Sequence, residues 1–309
     1  MIRSEIRKDY IQDKYVIIAP RRGKRPHDVA KPIAPVISVE AQKKCVFCPK
    51  GVFKNLIKDS TGPLKKWDIL VLENPFSAVT LDNPKAYGVQ EVIIEMPEHA
   101  KELEDLSIEH ISKLLEMYAR RTTIISKNKK IEYILIFKNN GGRAGASLQH
   151  SHSQIFATNF LPPHLFDKSQ KIQEYKIIHG TCVYCDVIKK ERKTSRLIWE
   201  DKNVIAFAPY ASMHNYEAWI LPKRHIDNIT CLNKDERKSW ARILKKILKK
   251  IGQLGLPYNY YFHQVIHDEN QHLYMKIIPR GSVWAGVEIG SGIIINSIPP
   301  EDAAKFYKE

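Results

Sequence analysis

The chain has no apolar run of the roughly 18 residues that a membrane-spanning helix needs. Its opening, MIRSEIRKDYIQDKYVII, is charged from the third residue and lacks an apolar signal core. Neither a membrane partner nor export is expected, and the expected compartment is the cytoplasm. Low-complexity segments and long flexible linkers are also missing. Acidic residues are in short supply, with 34 Asp and Glu against 49 Lys and Arg, giving a net charge of +15. The excess is scattered in short runs (127–130, 189–193, 245–250) without interleaved aromatics for stacking on bases. It reads as a solvated surface, so a nucleic-acid partner is not expected.

What remains is ordinary globular composition, 43% hydrophobic over 309 residues, enough for one large or two medium domains. Five cysteines are present, and four of them form two CxxC pairs, Cys45/Cys48 and Cys182/Cys185. In an unexported chain such pairs point to metal before disulfides. Cys231 stands alone and is expected to be a buried or inert thiol.

The order of elements repeats. Strands are expected at 15–19, within 70–79, at 89–96 and at 131–137, with a helix from Ser107, a suitable N-cap, onward. After a polar stretch beginning at Pro162, RLIWEDKNVIAFAPYA matches DILVLENPFSAV, and EAWILPKRHIDNI matches EVIIEMPEHAKEL. A second helix over 234–252 and a strand from Tyr258 complete the copy, and QHLYMKII stands where QHSHSQI stood. This is a tandem duplication whose strand–helix–strand units predict an α+β fold.

The duplication also places metal ligands. In the first half Cys48, His99 and His150 are 51 and 51 residues apart, and in the second Cys185, His225 and His272 are 40 and 47 apart. Two thiolates and two imidazoles per half suit closed tetrahedral zinc, giving two structural sites. The histidines would bring a helix start and a central strand to each metal. Ligands spread over about a hundred residues do not suit a zinc ribbon, whose four ligands crowd into a short segment.

With His150 assigned to zinc, His152 is free and lies on the same strand face two residues on. A neutral imidazole is a competent nucleophile for phosphorus. Gln154, again two residues on, can donate to phosphate oxygens. So can the backbone of the Gly141–Gly145 loop, Ser147 and the basic turn holding Arg22 and Arg25. The residues alone also admit His152 as a satisfied core histidine or as a ligand in place of His150. In the second copy His272 keeps the ligand place, while Tyr274 and Lys276 replace His152 and Gln154. One role is used twice and the other once.

Together, HSHSQ, the preceding NNGGRAGAS, APRRGKRPHD, CVFC and the late AGVEIGSGIIINSIPPEDAA resemble the galactose-1-phosphate uridylyltransferase family of the histidine-triad superfamily. The resemblance implies two fused histidine-triad-like domains, each an antiparallel sheet with helices. These are a catalytic one over 1–170 and one lacking the nucleophile over 171–309. It implies ping-pong nucleotidyl transfer in carbohydrate metabolism, from a nucleotide sugar to a hexose 1-phosphate, through a covalent intermediate on His152. Gln154 and Ser147 would contact phosphate, Asn139 and Gly145 would shape the nucleotide loop, Arg22 and Arg25 would bind the diphosphate, and Glu288 the sugar. Cys45, Cys48, His99 and His150 match the family's zinc ligands, and a homodimer is expected. Val287 and Ile294 stand where the galactose enzymes carry a tyrosine and a glutamine. The set Cys182, Cys185, His225 and His272 resembles the ADP-glucose phosphorylase relatives, which use inorganic phosphate as acceptor.

Overall fold

Each half lays its apolar runs down as strands and covers one side of them with a single amphipathic helix. The computed structural model describes residues 3–24, 43–99, 101–266 and 268–309. The first half contributes β1 (Glu5–Lys8), β2 (Tyr15–Ile18), β3 (Ile57–Thr61), β4 (Ile69–Glu73), β5 (Gly88–Ile94), α1 (Ile108–Ile125), β6 (Tyr133–Asn140) and β7 (His152–Thr158). Helices α2 (Pro163–His179) and α3 (Val183–Glu191) follow. The second half supplies β8 (Leu197–Glu200), β9 (Val204–Phe207), β10 (Ala218–Pro222), α4 (Lys234–Gln253), β11 (Tyr258–His263) and β12 (Tyr274–Pro279). The chain closes with α5 (Gly286–Ser291), β13 (Ile294–Asn296) and α6 (Pro300–Lys308).

Ten strands form one antiparallel sheet in the order β3-β4-β5-β7-β6-β11-β12-β10-β9-β8, a sequence that mirrors itself about the β6–β11 pair. The register makes the duplication explicit. Gln154 pairs with Phe137, Phe137 with Tyr261, and Tyr261 with Lys276, so the two aligned positions end one row across the centre of the sheet. A smaller sheet, β1-β2-β13, ties the beginning of the chain to its end.

Both major helices have the caps their sequences call for. The Ser107 hydroxyl accepts the His110 amide at 3.1 Å. Asn233 and Glu236 exchange side-chain-to-backbone bonds of 2.9 and 2.8 Å, a reciprocal box that satisfies two otherwise open donors. Ile111, Leu114, Leu115 and Tyr118 of α1, with Trp240, Ile243, Leu244 and Ile247 of α4, are buried against Ile134, Ile136, Ile155 and Ile277. Each fully buried aliphatic side chain of this kind contributes about 1.5–3 kcal/mol. The helices occupy one face of the sheet, so the alternate residues of β7, β6, β11 and β12 are left on the other face. That face carries His152 and Gln154.

The polar stretch takes an element that its sequence did not assign, and the buried alternative for Cys231 is corrected. The polar stretch after Pro162 is the 17-residue helix α2. Its buried side is just Leu165, Lys168 and Ile172, too sparse for a stripe. Cys231 is exposed, with its thiol 3.6 Å from an Asp227 carboxylate oxygen. Partial burial and that carboxylate push its thiol up, which disfavours the nucleophilic thiolate.

Candidate active site

The first CxxC forms a tight turn in which the Cys48 amide donates to Cys45 O at 3.3 Å and Gly51 N–H donates to Cys48 O at 2.7 Å. A Cβ at Gly51 would lie 2.3 Å from the Cys45 carbonyl oxygen, so only glycine lets the turn close. Against this turn come His99, from the connection after β5, and His150, from the residues just before β7. The two therefore arrive on loop segments and not on a helix start and a strand. Ligand atoms of Cys45, Cys48, His99 and His150 all lie within 4.8 Å of one another.

The geometry suits zinc. His150 Nδ1 is 3.7 Å from Cys45 Sγ and 3.6 Å from Cys48 Sγ, and His99 Nδ1 is 3.6 Å from Cys48 Sγ. A tetrahedral ion with ordinary Zn–S and Zn–N bonds sets S···N edges of about 3.6 Å. His150 Nε2 donates to the Met96 carbonyl at 2.8 Å, which fixes the tautomer and leaves the Nδ1 lone pair for the metal.

In the second half Cys182, Cys185 and His225 converge in the same way. His225 repeats the tautomer device, Nε2 to Glu269 O at 2.8 Å, with Nδ1 3.5 Å from Cys185 Sγ. His272 stands beside them, its ring perpendicular to that of His225 at 5.2 Å, but its nitrogens are not gathered into the three-residue group. His272 Nδ1 is held by the Leu273 carbonyl at 3.0 Å, and Nε2 is buried without a hydrogen-bond partner. This second group faces a surface cavity of about 590 Å³.

His152, 6% exposed, begins β7. Its Nδ1 lies 2.8 Å from the carbonyl oxygen of His150. A carbonyl can only accept, so Nδ1 carries the proton and Nε2 carries the lone pair. Burial is the main influence holding the imidazole below its usual pKa, which keeps it neutral. Phe47, the third residue of the CxxC, packs edge-on against His152 at 5.0 Å and His150 at 6.3 Å. The metal turn thus touches the candidate nucleophile directly. Gln154 accepts from Gln90 Nε2 at 3.1 Å through its carbonyl oxygen, leaving both amide hydrogens to donate.

Beneath these residues lies a buried polar network that sequence reasoning missed. Lys138 Nζ donates to Glu95 Oε2 and Ser151 Oγ, each at 2.6 Å. The Ser151 hydroxyl lies 2.6 Å from the same Glu95 oxygen and 2.9 Å from Glu102 Oε2. Tyr118 donates to Ser153 Oγ at 2.6 Å. The serines on either side of His152 are therefore clamped from the helix face. A lysine and a glutamate inside apolar strand runs, ILIFK and EVIIE, were the available signal.

The glycine-rich loop is anchored by another unforeseen residue, Asn259 of β11. Its Nδ2 donates to Asn139 Oδ1 and to Ala144 O, both at 2.7 Å. Gly145 has φ +90°, a left-handed conformation that side chains oppose. Ser147 is exposed in the same loop. Arg22 and Glu288 come together beside the small sheet, where the Glu288 carboxylate accepts the Ala285 amide at 2.9 Å. That bond is the first cause, and the Arg22 charge a lesser one, of a pKa below the usual carboxylate value. Among the described residues no hydrogen bond, ion pair or ring contact joins this pair to His152 or Gln154. Arg25 lies outside the described residues. Leu135, Phe137, Phe156 and Asn139 line a cavity of about 700 Å³ on the open face of the sheet. Among the described residues, no helix is long and apolar enough to cross a membrane.

Comparison with known proteins shows the family. Residues 1–162 match the N-terminal domain of galactose-1-phosphate uridyl transferase and residues 168–277 match its C-terminal domain. The chain is 31% identical to the ADP-glucose phosphorylase of Arabidopsis thaliana, covering 99% of this chain and 92% of that protein. It is 28% identical to the galactose-1-phosphate uridylyltransferase of Thermotoga maritima, covering 99% and 98%. The crystal structure of the Arabidopsis enzyme with bound ADP-glucose superposes with a TM-score of 0.84 at 30% identity over 99% of both chains. A uridylyltransferase structure follows at 0.77 and 29%, over 98% of this chain and 97% of that one. By its sheet, its histidine pair and these matches over nearly its full length, the chain belongs to the galactose-1-phosphate uridylyltransferase family.

Proposed function

We propose that this protein moves a nucleoside monophosphate from a nucleotide sugar to a phosphate-bearing acceptor, through a covalent nucleotidyl group on His152. The observation that carries the reading is the bond from His152 Nδ1 to the His150 carbonyl, which leaves Nε2 as the nucleophile. In the first step Nε2 attacks the nucleotide's α-phosphorus, an N–P bond forms, and the P–O bond to the sugar phosphate breaks. In the second a phosphate oxygen of the acceptor attacks the same phosphorus and releases the imidazole. Gln154 amide hydrogens stabilise charge on the nonbridging oxygens in both steps. The loop of Asn139, Gly145 and Ser147 holds the nucleotide, Arg22 and Arg25 the diphosphate, and Glu288 the sugar.

Zinc on Cys45, Cys48, His99 and His150 would supply structure, tying the CxxC turn to the His150–His152 segment. Cys182, Cys185 and His225, with His272 alongside, would hold a second ion. The acceptor in the leading reading is a hexose 1-phosphate. A second reading, phosphorolysis with inorganic phosphate, is favoured by the similarity to ADP-glucose phosphorylase and by the cysteine-containing second cluster. Adding each acceptor to the labelled protein separates them: the acceptor that removes the label names the reaction.

A further inference from the structure

The mirrored row that ends on Gln154 in the first half ends on Lys276 in the second, and the cavity on this face is lined by Lys276 at the second end and by Phe137 and Phe156 toward the first. At the second end α2 lays Lys168, 5% exposed, over Tyr274, the residue at the position corresponding to His152. Lys168 Nζ donates to the Tyr274 hydroxyl and stands 4.7 Å from the centre of its ring. Among the described residues that is the one hydrogen bond the ammonium makes; its other neighbour is the Tyr184 ring face, 5.3 Å from Nζ, so no oxygen or nitrogen acceptor meets its remaining protons. His263, 5% exposed, stacks on Tyr274 at 4.7 Å, and its Nε2 is buried without a partner.

The surroundings are cationic. Lys14 lines the same cavity, as does Lys276, which is held 2.9 Å from Glu217. Asp9 is the acidic side chain on the cavity wall. Burial, with Lys276 and Lys14 adding to it, draws Lys168 down to about 7. Unused donors on buried groups are costly, and in a polar cavity a bound anion offsets that cost.

We propose that Lys168, His263 and Tyr274 form a noncatalytic site for a phosphoryl anion, separate from the one at His152. The lysine ammonium and the phenol can hold phosphate oxygens with the neutral imidazole packed beside them, while the residue at the place of His152 is a phenol buried beneath an ammonium and forms no nucleotidyl intermediate. Three strand spacings separate Gln154 from Lys276, about 14 Å, so one phosphate cannot serve both ends. The free anion and the phosphoryl group of a sugar phosphate share this chemistry.

Calorimetric titration of the zinc-replete protein with inorganic phosphate, and separately with a hexose 1-phosphate, tests the site. In Lys168→Met at least one of the two ligands should bind tenfold or more weakly, while His152→Ala retains that event. The ligand whose binding is lost identifies the source. If Lys168→Met does not fold by circular dichroism, His263→Phe replaces it and should weaken the same ligand severalfold. Binding of both ligands with unchanged affinity and stoichiometry in the folded cavity variant overturns the proposal, as does absence of binding to the unmodified protein. The titration is independent of whether His152 becomes labelled, so the two readings fail separately.

Discussion

His152 gives its Nδ1 proton to the carbonyl oxygen of His150 at 2.8 Å, while the His150 ring turns its own Nδ1 toward the two cysteines of the first metal group. One residue therefore links the candidate metal group and the candidate nucleophile, by its ring on one side and its backbone on the other. Disturbing this group should rotate the His152 imidazole.

Cys48→Ser should remove one zinc equivalent per chain, measured by plasma mass spectrometry, and should lower the melting temperature and the rate of histidine labelling together. The second group is more exposed than the first and opens on a cavity, so a chelator should empty it first. Simultaneous loss of both ions would contradict that ordering.

Gln154 keeps both amide hydrogens available beside His152, and in the proposed reaction they meet developing negative charge. Gln154→Ala should slow labelling by about a hundredfold, within the range for removing one such donor. Single-turnover kinetics with saturating nucleotide sugar would read it. An unchanged rate would take Gln154 out of the chemistry.

Lys138 neutralises Glu95 where both are fully buried. Lys138→Met leaves a carboxylate buried without its partner and should cost about 3–5 kcal/mol in urea unfolding. Because the network also clamps Ser151, the surviving folded enzyme should label more slowly. Stability within 1 kcal/mol of the parent, on the order of one weak hydrogen bond, would mean that Glu95 has another way to be satisfied.

Glu104 is pushed from 4.5 up to about 7, chiefly by burial, and its Oε2 has no hydrogen-bond partner. Between those values the folded chain holds a proton that the unfolded chain has released, so stability should fall as pH rises through this window and level off above it. Glu104→Gln removes this contribution. The variant should gain on the parent between pH 5 and pH 8 in paired unfolding curves, and parallel curves would refute the assignment.

Much of this was legible in the residues because the chain carries its own comparison. Aligning QHSHSQI with QHLYMKII makes Gln154 and Lys276 equivalent positions, and the β6–β11 pairing, which the sequence did not predict, puts them on one row. Ser107 and the stripe at Ile111, Leu114 and Leu115 were readable since local capping and periodicity specify them. Helix α2 was not, because a lysine sits in the middle of its buried side. Lys138 and Glu95 were hidden for a related reason: a charge inside an apolar strand has meaning only once its partner, 43 residues away, is known. The difference between His150 and His272 was also out of reach. Both occupy the same repeat position, yet one bonds a carbonyl through Nε2 and the other through Nδ1.

The most direct test is intact-mass and peptide mass spectrometry after incubation with a panel of nucleotide sugars. The account predicts a gain of one nucleoside monophosphate mapped to His152, lost on adding acceptor, and absent from a folded, zinc-replete His152→Ala. The same gain, or continued turnover, in that variant would contradict it.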